Sequence, residues 1–325
     1  MTLPSVRDDP KRYSDVRRLL LIVTCLGLCL GPSGLWVGHA RADRVVPPAR
    51  IESARGIAMG SGARASASST QAQADNPANL VQSGVYHLEA FSTYDPTFKR
   101  FGVGASVVDA ITARVAAGAS FRMLGGNNDA GANKGYEGRL SLGIPVIEQL
   151  SLGVSGRYSN FRLSDTHAVP ERVPAEGEAE DRTFRLKHFT MDVAATLRPF
   201  PGLAISALAY NLIDTNSPLA PMQVGGSAAF SVGGFTVGGD VLVDLNKQGL
   251  FSGPKLYVGG GLEFLASGTA PLRVGYAYDQ GRDQNFVTGG LGFVDQRFGA
   301  QFSLRQSVGA QRETSLYLGL QYFVQ

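Results

Sequence analysis

The chain has 325 residues and two cysteines, Cys25 and Cys29, both within its first 42 residues. The remainder therefore carries no disulfide, thiolate metal ligand or cysteine nucleophile. Such a chain suits passage through an oxidising periplasm. Histidine is nearly as scarce, with only His87, His167 and His188 beyond that stretch. A Ser/His catalytic pair needs a third orienting group. His188 is followed at the right distance by Thr190 rather than Ser, so no hydrolase site is expected. No metal site and no cofactor are expected either. The glycine runs Gly259–Gly261 and Gly289-Gly290 sit inside strand-like segments, which is not the setting of a phosphate loop. Charge of one sign is lacking as well. Of 30 Lys/Arg and 27 Asp/Glu, six and three fall in the first 42 residues, so the remainder is balanced. That balance removes the case for nucleic-acid binding. Finally, no apolar run approaches the ~20 residues of a membrane-spanning helix.

What the chain does contain begins with an export signal over residues 1–42. Lys11, Arg12, Arg17 and Arg18 precede an apolar stretch, Leu19 to Leu30, and Ala40-Arg41-Ala42 has the small-x-small form of a cleavage site. From residue 84 onward, apolar side chains return at every second position. Leu316, Leu318, Leu320, Tyr322 and Val324 share one face, as do Leu272, Val274, Tyr276 and Tyr278. A period of two means strands with one apolar and one wet face. We count fourteen such segments, which predicts an all-β fold: an antiparallel up-and-down transmembrane barrel over residues 84–325, with lipid outside and a polar lumen inside. The connections sort by length. Glu148, Pro201-Gly202, Gly233, Ser267–Thr269 and Asp295-Gln296 are short and alternate with longer ones, Gly125–Lys134 and the acidic Ser164–Thr183. Short turns on the periplasmic side and longer loops outside form the outer-membrane pattern.

At the polar parity of the strands stand Arg114, Arg122, Glu137, Arg139, Arg157, Asp240, Glu263, Arg273, Asp279 and Arg305. Two readings stay open: paired networks lining the lumen, or contacts to a plug or permeant. Residues 43–83 are rich in Ala, Ser, Gly and Gln and show no strand pattern. They read either as a compact element or as an export linker.

Within that stretch, Ala54-Arg-Gly-Ile-Ala-Met-Gly-Ser-Gly-Ala63 and Asp75-Asn76-Pro77-Ala78 resemble the N-terminal signature of the FadL/PorV superfamily of outer-membrane barrels. Pro271-Leu-Arg-Val-Gly-Tyr-Ala-Tyr-Asp279 and Gly289-Gly-Leu-Gly-Phe293 resemble that family's closing strands. The resemblance implies fourteen strands and a plug or hatch over 43–83, carried by Met59, Gly60, Asp75, Asn76, Pro77 and Ala78. It also implies transport of small hydrophobic compounds, or alternatively a barrel that partners protein secretion or surface attachment; a purely structural barrel is a third reading. The partners expected are outer-membrane lipids, the barrel-assembly machinery, and a hydrophobic small molecule or secretion component. Asn79 stands where the family turn has Gly, and the chain ends in Gln325 rather than an aromatic.

Overall fold

The computed structural model describes residues 52–128, 131–164, 183–213, 219–245, 254–309 and 312–324. The expected export signal, residues 43–51 and residues 165–182 of the acidic loop lie outside the described residues.

Fourteen strands run through the described chain: β1 Tyr86–Asp95, β2 Arg100–Asp109, β3 Ala116–Asn128, β4 Gly131–Ile147, β5 Leu150–Ser164, β6 Thr183–Phe200 and β7 Leu203–Tyr210. They continue as β8 Gln223–Val232, β9 Phe235–Asp244, β10 Lys255–Ala266, β11 Ala270–Asp279, β12 Gln284–Val294, β13 Phe298–Val308 and β14 Thr314–Val324. Each pairs antiparallel with its sequence neighbours, and β1 closes on β14 from Tyr86↔Val324 to Tyr94↔Leu316. Closure gives every strand two partners, so no edge of unpaired amides is left facing lipid.

The period-two pattern sets the two faces. Leu318 and Val274 are 52% and 53% exposed on the outside, whereas Gln321 and Arg273 of the same strands are 5% and 9% exposed inside. This is a soluble fold turned inside out, and it requires a membrane around the barrel. Phe235 stacks on Phe264 with ring centroids 4.4 Å apart, and Phe298 meets Tyr322 at 5.1 Å, all near the end that carries the short turns. Aromatic girdles at a membrane interface have this placement.

Two connections differ from expectation. Of the expected loop Gly125–Lys134, the described residues 125–128 and 131–134 are strand, because β3 and β4 stay paired through Gly126↔Asn133 and Asn127↔Ala132. Small polar residues there carry no apolar alternation to signal a strand, yet Gly126, at φ +146°, follows the twist close against the Lys99 carbonyl. Conversely, β3 begins at Ala116, not 112. The Asp109 carboxylate accepts the amides of Ile111 and Thr112 at 3.1 and 3.0 Å, and this Asx turn ends β2 and holds 110–115 as a loop.

Ahead of β1, residues 52–82 lie inside the barrel. Helix α1, Ala54–Ala58, is capped by the Ser53 hydroxyl, which accepts the Gly56 amide at 3.0 Å. A 3-10 turn, Arg64–Ser66, follows, then helix α2, Ser69–Asp75, then a 3-10 helix, Pro77–Gln82. The last starts as its sequence dictates: Asn76 caps it through the Ala78 amide, and Pro77 takes the first position. These pieces lean on different arcs of the wall. α1 meets β11–β14, the first 3-10 turn meets β7–β9, α2 meets β1–β3, and the second 3-10 helix meets β3–β6.

Reversing a side chain's medium should expose the register. Leu318→Arg and Val274→Arg, near mid-height on the lipid face, should each destabilise the barrel by ~2–4 kcal/mol. Thr236→Arg, on the inner face, should cost far less. Urea titration followed by heat-modifiable gel migration measures both, and equal losses at the two parities would refute the register.

Candidate functional site: the lumen and its internal segment

Backbone, not side chains, sets the closest approach between the internal segment and the wall. A Cβ on Gly259 would stand 1.8 Å from the Gly60 carbonyl oxygen. One on Gly238 would stand 2.0 Å from the Gly62 oxygen, and one on Gly275 would stand 2.3 Å from the Met59 carbonyl carbon. Across the lumen, Gly153 gives the same room to Ala78, whose amide nitrogen would be 2.1 Å from a Cβ there. Any other residue at these inward positions would push the segment off its seat. Met59 and Ala78 are fully buried as a result.

Hydrogen bonds then fix the segment's rotation. Thr288 and Ser303 donate their hydroxyls to the Ala58 and Ala54 carbonyls at 2.8 and 2.7 Å. The Asn76 amide group donates to Thr196 Oγ1, Ser206 Oγ and the Arg64 carbonyl within 3.1 Å. Pro77 is buried beside it. Asn79 is fully buried; it donates to the Arg64 and Ala65 carbonyls and accepts Arg198 Nη2 at 2.9 Å. That bridge explains what the side chain does at a position where the family pattern has Gly.

Charges complete the contact. Glu263 receives Arg55 of the segment (Nη2, 2.9 Å) and Arg273 of the wall (Nε, 2.6 Å). Arg64 bridges Asp240 at 2.8 Å and Glu52 at 3.3 Å, and Glu52 also holds Arg305 at 2.8 Å. A second network has its ion pairs within the wall: Arg139 and Arg157 flank Asp192, while Arg122 and Arg157 flank Glu137, at 3.6–4.0 Å. Arg139 also donates to the carbonyls of Gln73 and Ala74. Asp279 pairs with Arg282 at 3.1 Å near the opposite end from the short turns. Arg114 is not a lumen residue. It is exposed in the β2–β3 turn, because the Asx turn at Asp109 delays β3. The sequence reading missed Glu52, Arg55 and Arg64; charged residues in an otherwise small-residue stretch were the available signal.

Asp75 ties α2 to the start of α1, accepting the Ser53 amide at 3.1 Å and its hydroxyl at 2.5 Å, while its own carbonyl accepts the Tyr210 hydroxyl. Burial pushes the Asp75 carboxyl up to about 6, against the opposing charge of Arg64 and the Ser53 hydrogen bonds.

The lumen also holds apolar inward residues that sequence parity alone did not single out. Toward the long-loop end, Phe161, Leu163, Leu186 and Leu219 pack together with Leu124 and Ala220. Leu208, Tyr210, Leu242, Tyr257 and Phe286 form a second cluster. The Arg122 guanidinium lies 5.5 Å from the Phe161 ring centroid, where the apolar layer meets the charged one. On the outer face, small residues of β1–β5, among them Ala90, Ala105, Ala119, Gly138 and Gly156, floor an apolar groove of about 860 Å³. Phe121, Tyr158 and Phe189 stand along it.

A closed antiparallel fourteen-stranded barrel with an apolar outer wall defines a transmembrane β-barrel of the outer-membrane kind. No family model matches the chain, and no curated relative does. Solved structures do share the fold. The toluene transporter TbuX of Ralstonia pickettii superposes with a TM-score of 0.56 at 14% identity, over 85% of this chain and 98% of that one. The monoaromatic hydrocarbon channel CymD gives 0.61 at 13% identity over the same shares. A FadL homologue of Pseudomonas aeruginosa gives 0.54 at 10% identity, over 87% and 98%. The fourteen-stranded barrel expected from the resemblance is thus the one found, and TbuX and CymD are described as a transporter and a channel.

Gly259→Val should unseat Met59–Gly62, raising single-channel conductance and exposing residues 52–82 to protease while the barrel stays heat-modifiable. Gly239→Ala, outward and 3.7 Å from its nearest neighbour, is the matched control and should change neither. Identical behaviour of the two variants would remove the glycine seat from the account.

Seating should also depend on pH. A carboxyl that holds its proton more tightly when seated than when released favours the seated state as pH falls. Protection of residues 52–82 from protease should therefore rise between about pH 6 and 4, by up to roughly 3 kcal/mol, and Asp75→Asn should flatten the profile.

Proposed function

We propose that this protein is a Gram-negative outer-membrane barrel that moves small hydrophobic compounds, with residues 52–82 as its plug. The observation that carries this reading is the order of layers in the lumen. An apolar cluster of Phe161, Leu163, Leu186 and Leu219 lies toward the long-loop end, and beneath it sit the paired charges and the seated segment. An apolar molecule that enters between these side chains is stabilised by roughly 25 cal/mol for each Å² it withdraws from water. A hydrated solute gains nothing there and meets the plug below. The outer groove across β1–β5 supports the same reading, since it presents apolar surface to lipid where cargo of this kind could partition sideways. That toluene and monoaromatic hydrocarbons are carried by proteins of the same fold is in keeping with it.

The test is toluene uptake by cells expressing the barrel, compared with Phe161→Glu and Leu186→Glu variants. A carboxylate in the apolar cluster should cut uptake about tenfold, equivalent to roughly 1.4 kcal/mol of lost binding, without changing the amount of folded barrel. Wild-type uptake no faster than that of cells lacking the barrel would refute the transport reading and favour a role as a secretion partner.

A further inference from the structure

A cavity of about 540 Å³ lies between the internal segment and the inner wall at the end carrying the short turns. It is separate from the apolar cluster around Phe161 and has a different character. Its roof is the Arg55–Glu263–Arg273 cluster, in which one carboxylate faces two guanidiniums. No other Asp, Glu, Lys or Arg among the described residues lines it, so the roof carries a net positive charge. On its side, His87 is 2% exposed, with its ring against Phe323 at 4.3 Å and Nδ1 engaged by Ser69 Oγ at 2.6 Å. His87 Nε2 and Ser83 Oγ have no hydrogen-bond partner among the described residues. A buried polar atom left unpaired is costly unless something else completes it. The remaining lining is mixed: Phe293, Phe323, Leu265 and Val294 are apolar, while several serines, Thr236 and three glutamines are polar. Volume, positive roof, free polar atoms and an apolar patch at Phe293 and Phe323 together describe a ligand pocket of ordinary size.

We propose that this cavity is a binding site for a small organic anion with a compact apolar body, of the aromatic carboxylate class. The carboxylate meets the guanidinium roof and accepts the His87 Nε2–H, while the ring packs on Phe293 and Phe323. The site opens at the short-turn end, so on the proposed orientation its ligand comes from the periplasm. This inference does not rest on the apolar cluster or on toluene transport.

Benzoate is the probe, titrated calorimetrically into the purified mature barrel in detergent, with toluene as the uncharged comparison. The wild-type should bind benzoate saturably and toluene much less well at this site. His87→Phe keeps the ring contact but loses the donor, and should weaken benzoate about tenfold, the scale of one hydrogen bond to a charged group. Thr236→Trp, which fills the cavity from the β9 wall, should abolish binding in a barrel that remains heat-modifiable. Absence of saturable benzoate binding to the wild-type would overturn the proposal. So would unchanged binding in both variants, or equal affinity for benzoate and toluene, which would make the cavity a second apolar pocket.

Discussion

Closure of the sheet is the constraint from which the rest follows. A strand in hydrocarbon cannot leave amides unpaired, so β1 must find β14 even though they lie at opposite ends of the barrel sequence. Fourteen strands then enclose more space than their own inward side chains fill, since about eight is the number at which side chains suffice. The lumen needs further matter, and the segment immediately ahead of β1 supplies it. Its composition of small residues lets it turn four times within residues 54–82 while touching successive arcs of the wall.

Two kinds of contact hold that segment, and they differ in what they specify. Glycine positions on β5 and on β9–β11 set distance, because backbone meets backbone with no side chain between. Ion pairs set orientation. Arg64 must face Asp240, and Arg55 must face Glu263, or charges are left buried without partners. Breaking such a pair costs about 3–5 kcal/mol even where the intact pair adds little net stability. Asn76 and Asn79 add a neutral counterpart on the opposite arc, converging on the Arg64 carbonyl. The segment is thus pinned on both sides of the lumen by chemistry that differs between the sides.

The lumen is consequently asymmetric along its axis. Apolar side chains gather toward the long-loop end, charged pairs and the internal segment occupy the middle, and an amphipathic cavity remains near the short turns. None of these layers interrupts the apolar band of the outer face, because successive residues of a strand point to opposite sides of the wall. Interior chemistry can therefore vary without disturbing the surface that meets lipid.

Much of this was legible in the chain itself. Alternation at Leu316–Val324 and Leu272–Tyr278 identified the lipid face, and short against long connections sorted the two ends, because both depend only on local spacing. The 3-10 helix at Pro77 follows from Asn76 and Pro77 alone. Local pattern failed where it carried no apolar signal, as at Gly125–Lys134, or where one side chain diverted the backbone, as Asp109 does ahead of Arg114. What only the tertiary structure decided is pairing at a distance. Gly259 and Gly260 read alike in sequence, yet only Gly259 faces the Gly60 carbonyl. Arg64 and Asp240 are 176 residues apart, and nothing near either names the other. Sequence period determines which side of the wall a residue occupies. Which partner meets it across the lumen is decided only when the sheet closes and the preceding segment is laid inside.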